Sequence, residues 1–275
     1  MFGISRQAFY QQQKRQQIRL AELQQVRDLV VTERALMPRV GTRKLYYLLE
    51  DKFKNHGIKI GRDALFSFLK SEDLLVRRRK NYTKTTWSKH WLHKHPNLLK
   101  EFSPQRPEQV WVSDITYVPT IKGNTYLSLI TDAYSRKIVG YHLSDDMKTE
   151  NVAKALVMAI KHRKTKLPLI HHSDRGLQYC AAEYQQLLNK DSITPSMTDG
   201  YDCYQNALAE RINGILKEEF LIQTYTPEQL SKVVEQSIKI YNGYRPHLSL
   251  KYKTPNFIHE KSLAEQTARD SKTIL

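Results

Sequence analysis

Three acidic residues lie in sequence contexts that could bring their carboxylates into one cleft. Asp114 falls inside a predicted strand, and Asp174 directly follows another strand and opens the turn at Arg175-Gly176. Because open α/β sheets bind their ligands at the edge where strands end, both aspartates can point into one site if the two strands are neighbours. Glu210 belongs to a long predicted helix further along the chain.

Three carboxylates without cysteine or histidine form an all-oxygen site, which suits Mg²⁺ or Mn²⁺ better than zinc. Two such ions about 3.5 to 4 Å apart can activate a water or a 3′-hydroxyl and stabilise the leaving oxygen of a phosphodiester. The acids Asp114, Asp174 and Glu210 therefore predict a two-metal site for nuclease or strand-transfer chemistry.

The helix that carries Glu210 has two different faces on a wheel of about 100° per residue. One is a predicted inward stripe, which Glu219 shares, and it consists of Leu208, Ile212 and Ile215. The opposite row is polar and consists of Asn206, Glu210, Asn213 and Lys217. Such a row can also be a plain solvated face, and only its combination with the two aspartates favours a site. Glu218 lies about 80° from Glu210, off this row, which favours Glu210 as the third acid.

The elements that would position these acids form an α/β pattern. Three β-branched and aromatic segments at 110–118, 125–131 and 137–143 predict a meander of strands. They are followed by a helix at 150–162, a strand at 167–172, a helix at 182–189, a short strand at 193–197 and a helix at 204–220. Val152, Leu156, Val157 and Ile160 are the predicted inward residues of the first of these helices. Thr226 to Gln229 then opens one more helix with a capping box. This order predicts a mixed sheet with both faces covered by helices.

The first third of the chain has helical periodicity. A helix at 11–33 has an apolar stripe of Ile18, Ala21, Val26, Leu29 and Val30. Thr42 is the predicted N-cap of a second helix at 43–53, and a third follows at 62–71 after a glycine-containing turn. Two short helices joined in this way indicate a helix-turn-helix DNA-binding region, although such pairs also serve as ordinary scaffolding.

Positive charge is concentrated in the same region. The net charge is +16, and residues 1–109 contain 23 basic and 10 acidic residues, against 21 and 18 in the remainder. A merely soluble basic surface would explain the total but not this asymmetry, so the charge predicts nucleic-acid binding. The candidate DNA contacts here are Arg43, Lys44, Arg62, Arg77, Arg78, Arg79 and Lys80.

Other patterns exclude several classes of protein. No apolar run has the roughly 18 residues of a membrane helix, and the N-terminus does not resemble a signal peptide, so we expect a cytoplasmic protein. The cysteines Cys180 and Cys203 lack the spacing of a disulfide framework or a structural zinc module. The basic segment 81–107 contains His90, His93 and His95 and is interpreted as a linker rather than a zinc site.

Several spaced motifs resemble the DDE transposases of the IS-three (IS3) insertion-sequence family. They are WVSDITY around Asp114, HSDRGLQY around Asp174, NALAE ending at Glu210 with Lys217 and Glu218 beyond it, and the closing YNGYRPHLSL at 241–250. The gaps between the acids, 59 and 35 residues, also match, and 39–75 is similar to the helix-turn-helix region of such transposases. Gln205 and Cys180 depart from the usual pattern without touching a metal ligand.

The resemblance implies a ribonuclease-H-like mixed sheet with flanking helices, preceded by an all-α helix-turn-helix region. It implies helices at 1–80, a linker at 81–107, a catalytic core at 108–260 and a tail at 261–275. Asp114, Asp174 and Glu210 would hold two Mg²⁺ or Mn²⁺ ions, and Lys217 would contact substrate phosphate. The expected reaction is strand cleavage and 3′-end transfer, without a covalent protein intermediate.

The implied partners are insertion-sequence ends, target DNA, further copies of the chain and an upstream reading-frame product fused to it. We therefore expect the protein in the nucleoid. The alternative is a catalytically silent helix-turn-helix regulator derived from a transposase, in which the core serves only as a scaffold. An intact acidic triad argues against this alternative.

Overall fold

The computed structural model describes residues 5–77, 92–199 and 206–273, with side chains as far as residue 266. The chain divides into two compact units, with the boundary after residue 78. Within the described residues, no helix combines the length and apolar character needed to cross a bilayer.

The first unit is all-helical, as predicted. It consists of α1 (Arg6–Leu36), α2 (Thr42–Asn55) and α3 (Arg62–Ser71). Its core contains Val26 and Val30 of α1 together with Leu45, Leu49, Phe53, Leu65 and Leu69.

Two predictions about this unit are wrong. Ile18 and Ala21 are exposed, because only the last part of α1 packs against the other helices. Thr42 is the first helical residue rather than the cap, and Gly41 is the N-cap of α2 without a side-chain hydrogen bond.

The second unit contains the predicted order of strands and helices. The strands are β1 (Val110–Thr120), β2 (Gly123–Asp132), β3 (Ile138–Ser144), β4 (Leu169–Ser173) and β5 (Ile193–Met197). The helices are α4 (Thr149–His162), α5 (Leu177–Cys180), α6 (Ala182–Lys190), α7 (Ala207–Ile215), α8 (Pro227–Gly243) and α9 (Pro255–Thr273). A π-helix, Leu216–Phe220, continues α7, and a 3₁₀ turn, Leu248–Leu250, follows α8. The capping box at Thr226 and Gln229 is confirmed.

The five strands form one mixed sheet in the order β3-β2-β1-β4-β5. The pairs β3-β2 and β2-β1 are antiparallel, whereas β1-β4 and β4-β5 are parallel. This is the strand order of a ribonuclease-H-like sheet, so the expected fold class is confirmed.

Helices cover both faces of the sheet, so side chains of β1 are buried on each side. Trp111 belongs to the larger core, which Leu156 of α4 and Tyr184 of α6 complete. Val110 and Val112 face the other way, toward Ala209 of α7. Val157 of α4 is 50% exposed, so its predicted inward position is wrong.

The described part of the segment predicted as a linker packs against this second unit. The Pro96 carbonyl accepts a hydrogen bond from the Met197 backbone N–H of β5 (3.3 Å). The backbone N–H of Leu98 donates to the Ser196 hydroxyl (3.0 Å). At the other end, an Arg106 guanidinium nitrogen donates to the Pro168 carbonyl (2.6 Å). His90 lies outside the described residues.

Candidate active site

The parallel pairing of β1 with β4 places Asp114 and Asp174 at the same level of the sheet. Val110 pairs with Ile170 and Val112 with His172, so each residue of β1 faces the β4 residue 60 positions later. Asp114 and Asp174 are separated by the same 60 positions, and Asp174 follows directly on the last residue of β4. Asp114 therefore lies within β1 at the level where the adjacent strand β4 ends and Asp174 follows, which are the positions in the chain that the sequence predicted.

Helix α7 lies along this part of β1, and its N-cap, the helix itself and the π-helix that continues it each make one polar contact with the strand. The side-chain amide of Asn206 donates to the carbonyl of Ser113 (3.0 Å), and that of Asn213 donates to the Asp114 carboxylate (2.7 Å). The Lys217 ammonium, in the π-helix, donates to the Thr116 hydroxyl (3.2 Å). These contacts hold the helix that carries Glu210 beside the two aspartates.

The contacts correct the predicted orientation of this helix. The residues of α7 and the π-helix that pack inward are Ala209, Ile212, Asn213, Leu216 and Phe220. Leu208 is partly buried and packs against the core at Ala209, whereas Ile215 is only half-buried, so the predicted inward stripe is right for Ile212 and in part for Leu208. Asn206 and Asn213 are buried although they belong to the polar row, because the backbone and carboxylate of β1 offer them hydrogen-bond partners. Glu210 is exposed at the surface of the helix.

The three carboxylates interact electrostatically. Burial, and then the negative charges of Asp174 and Glu210, raise the pKa of Asp114 to about 8. Partial burial and the charge of Asp174 also raise the pKa of Glu210. Like charges near one another and poor solvation both disfavour ionised carboxylates. A cation at this position would therefore stabilise the ionised forms.

A layer of neutral aromatic side chains lies behind the aspartates. The Tyr179 hydroxyl lies 3.0 Å from that of Ser113, next to Asp114, and the ring of Tyr179 meets that of Tyr184 edge-on. The Tyr184 hydroxyl lies 3.1 Å from Nε2 of His171, whose pKa burial lowers to about 3, with His172 adding to the effect. His171 is thus uncharged at neutral pH.

The turn after β4 shapes the position of Asp174. One carboxylate oxygen of Asp174 accepts a hydrogen bond from the backbone N–H of Gly176 (3.0 Å). A Cβ atom at Gly176 would lie 3.1 Å from that oxygen and 3.3 Å from the Gln178 side-chain oxygen. A side chain at Gly176 would therefore crowd the carboxylate that it helps to orient.

The donor set fits a hard divalent cation, since it consists of three carboxylates. Their negative charges repel one another, and the pKa values of Asp114 and Glu210 are raised. In the described part of the chain, no three histidine, cysteine or acidic side chains lie as close together as the ligands of one ion. The site as described is thus a set of neighbouring acids rather than an assembled coordination shell.

The first unit brings together three of the basic residues predicted to contact DNA. Arg43, Lys44 and Arg62 line a groove of about 590 Å³ between the starts of α2 and α3, which Phe66 and Val76 also line. Arg62 pairs with Asp63 (2.9 Å) and Arg77 with Asp73 (2.8 Å), and all four of these side chains are largely exposed. Arg78, Arg79 and Lys80 lie outside the described residues, as does Gln205.

Sequence reasoning missed some residues of the site. Asn213 contacts Asp114 directly, and its place in the polar row three positions after Glu210 was the available signal. Ser113 and Tyr179, by contrast, are separated by 66 positions in the chain, and no local pattern indicated their contact.

Two protein-family models, each described as Integrase core domain, match this chain, one at residues 104–203 and the other at residues 191–255. A 31 kDa insertion element IS600 protein of Shigella sonnei, whose name calls it uncharacterized, is 34% identical over 267 residues, which cover 95% of this chain and 97% of that protein. The transposase InsF for insertion sequence IS3A of Escherichia coli (strain K12) is 30% identical over 78% of this chain and 76% of its own length.

Among solved structures, the catalytic core domain of HTLV-2 integrase in complex with magnesium, in its trimeric form, covers 57% of this chain and 99% of that chain. The sequence identity is 21% and the TM-score is 0.48. The fold assignment rests on the strand order and pairing described above.

Proposed function

The chain belongs to the IS3 family of DDE transposases, and we propose that it cuts the ends of an insertion sequence and joins the freed 3′ ends to target DNA. The observation that carries this proposal is the register of β1 and β4, which sets Asp114 beside Asp174 under the helix of Glu210. Phosphoryl transfer of this kind depends on positioning and electrostatic stabilisation more than on covalent chemistry by the protein.

In this proposal Asp114, Asp174 and Glu210 hold two Mg²⁺ or Mn²⁺ ions. Two ions of this kind activate the attacking water or 3′-hydroxyl and stabilise the leaving oxygen. The raised pKa of Asp114 and that of Glu210 support this role, because both carboxylates are poorly stabilised without a cation. Carboxylate oxygens are also the ligands that these hard divalent cations prefer.

The other residues of the site orient these acids and the substrate. Asn213 fixes one oxygen of Asp114, so that the second oxygen is presented in a defined direction. Lys217 lies over the same strand as Asp114 and would bind a phosphate of the DNA strand being cut. The neutral layer of Tyr179, Tyr184 and His171 excludes water from the rear of the site.

DNA is the proposed partner of both units. The groove at Arg43, Lys44 and Arg62 would bind backbone phosphates, with α3 as the helix that reads the DNA, since an exposed cationic surface suits a polyanion. We further propose that several copies assemble on the DNA ends and that the protein is associated with the nucleoid. A fusion with an upstream reading-frame product stays a prediction of the family resemblance.

A cleavage and joining assay on DNA that carries the element's own end tests the proposal. We expect activity with Mg²⁺ or Mn²⁺ and none in EDTA. Ca²⁺ should support binding with little chemistry, because its loose coordination does not suit an in-line transfer. Unchanged activity in EDTA would contradict the metal mechanism. Tight end binding without cleavage under every metal would instead favour the catalytically silent regulator.

A further inference from the structure

The helix of Glu210 changes its hydrogen-bonding pattern at the residues that follow the acid. Leu216–Phe220 is a π-helix, and the Leu221 backbone N–H donates to the Leu216 carbonyl (2.9 Å), five residues back. Such turns are rare and occur often at functional sites. Here the π-helix contains Lys217, the residue proposed to bind substrate phosphate.

Lys217 and Glu219 point to nearly opposite sides of this π-helix, because they are two positions apart. Lys217 faces β1, where its ammonium donates to Thr116 and lies 4.2 Å from the centre of the Tyr117 ring. A cation at that distance is attracted by the face of the ring. Glu219 faces the segment that follows α8.

Glu219 forms a buried, two-pronged ion pair with Arg245. The guanidinium Nε and Nη2 atoms each donate to one carboxylate oxygen at 2.7 Å. Side-chain exposure is only 3% for Arg245 and 15% for Glu219. Because a bidentate pair fixes orientation as well as distance, it restricts rotation of the π-helix about its axis.

Arg245 is itself held in place by the core. Its Nη1 atom lies 3.1 Å from Nε2 of His247, and its guanidinium lies beside the Tyr241 ring. Tyr241 is fully buried and donates to the Arg136 carbonyl (3.1 Å). Next to it, the Asn242 side chain donates to the carbonyl of Ile138 and accepts from its N–H, both at 2.9 Å. The end of α8 is thus fastened to β3 and to the turn that precedes it.

We propose that the Glu219–Arg245 ion pair positions Lys217 for its contact with the DNA backbone. The pair joins the closing motif at 241–250 to the face of the π-helix opposite Lys217, and so sets where the ammonium stands over β1. Glu219 and Arg245 are positioning residues in this inference, which rests on the proposed function of Lys217.

A double-mutant cycle between Lys217 and Glu219 in the full chain tests the inference. In the parent background, Glu219→Gln should lower the rate of strand transfer about tenfold, within the range for coupled neighbours. In a Lys217→Ala background it should lower the rate less than about twofold, because the side chain to be positioned is already gone. Equal losses in both backgrounds would overturn the inference and leave Glu219 a purely structural residue.

Salt dependence of end binding gives a second readout. Loss of one phosphate contact should reduce the slope of log K against log salt by about 0.9 on duplex DNA. We expect this reduction for Lys217→Ala and for Glu219→Gln, and no further reduction when both are combined. A parent-like slope for Glu219→Gln would contradict the inference.

Arg245→Lys guards against a folding failure of Glu219→Gln, because it keeps the charge but cannot make the two-pronged contact. Its loss in strand-transfer rate should likewise be large in the parent background and small in the Lys217→Ala background.

The matched control is Glu235→Gln, which breaks an exposed pair with Lys239 on α8 (2.6 Å) and should leave both the strand-transfer rate and the salt slope unchanged. If the parent fails to cut with any metal, the proposed function fails. If the parent cuts and the two losses are independent, only this inference fails.

Discussion

Asp114 is the residue with the most unfavourable environment at the candidate site. Burial and two neighbouring carboxylates raise its pKa to about 8, whereas hydrogen bonds from Asn213 and from the backbone at Ile115 act in the opposite direction. Unfavourable electrostatics of this kind are common at catalytic sites, where stability is given up for function. Without a bound cation, the protein should therefore be destabilised by the ionised Asp114 carboxylate.

This leads to a prediction about stability and pH. Because the pKa of Asp114 is raised on folding, the folded state keeps a proton that the unfolded chain loses above about pH 4. The resulting stabilisation is complete below that pH and is lost as pH rises through about 8. In EDTA at pH 8 to 9, Asp114→Asn should melt a few degrees above the parent, the shift that about 1 kcal/mol gives in a protein of this size.

The difference in melting temperature should shrink as the pH is lowered toward 5, where the parent carboxyl is protonated as well. Asp145→Asn, at an exposed position after β3, is the matched control and should show no such trend. A lower melting temperature for Asp114→Asn at pH 9 would show that the ionised carboxylate is not strained in the metal-free protein.

Strands and helices were predictable where the apolar residues of a segment repeat with one constant period. The order of strands and helices after residue 107 follows from β-branched segments of period two and from helical stripes. The β1–β4 register also agrees with the equal spacing of the acids, since 60 positions separate both the paired residues and Asp114 from Asp174.

The orientation of α7 was not predictable from the wheel. A wheel assumes that apolar residues face inward, but β1 presents a carbonyl and a carboxylate that bury Asn206 and Asn213 instead. It also assumes a constant period, which the π-helix at Leu216–Phe220 breaks. Long-range partners such as Glu219 and Arg245 have no signal in a local pattern, because their contact depends on the packing of α8.

The closing motif at 241–250 anchors the start of β3 through Asn242. Asn242 satisfies both backbone groups of Ile138 at the start of β3, an edge strand of the sheet. Asn242→Ala would leave a buried N–H and a buried carbonyl without this partner, which costs about 2 to 3 kcal/mol of unfolding free energy. Urea denaturation should show this loss, and Asn189→Ala at an exposed position of α6 should cost less than about 0.5 kcal/mol. Equal losses of unfolding free energy in Asn242→Ala and Asn189→Ala would contradict the anchoring role of Asn242.

The molecule as a whole separates its charge from its candidate catalytic acids. Residues 1–109 have a net charge of +13, whereas the remainder has a net charge of +3. The first unit, residues 1–78, has a net charge of +8, and the second unit has the same net charge of +8 spread over residues 79–275, so the acidic site lies in the unit where positive charge is less dense. This distribution favours a division of labour in which the first unit supplies most of the affinity for DNA and the second supplies the chemistry.

Removal of the groove cations tests this division. The triple variant Arg43→Ala, Lys44→Ala and Arg62→Ala should reduce the slope of log K against log salt by about two to three, if each cation contacts one phosphate. A control with the same charge change replaces the exposed Lys161, Lys190 and Lys232 of the second unit by alanine. We expect a change of slope below about one in that control. Equal reductions in the two triple variants would contradict the division of labour.

The most direct test of the central claim compares Glu210→Gln with Glu218→Gln on DNA that carries the element's own end. The two acids lie eight positions apart on the same helical segment, and the charge of Asp174 raises the pKa of Glu210. With Mg²⁺, Glu210→Gln should lower cleavage and strand transfer at least about a hundredfold while it leaves end binding largely intact, and Glu218→Gln should retain activity. Folded Glu210→Gln protein that cuts at nearly the parent rate would contradict the assignment of Asp114, Asp174 and Glu210 as the metal-binding acids.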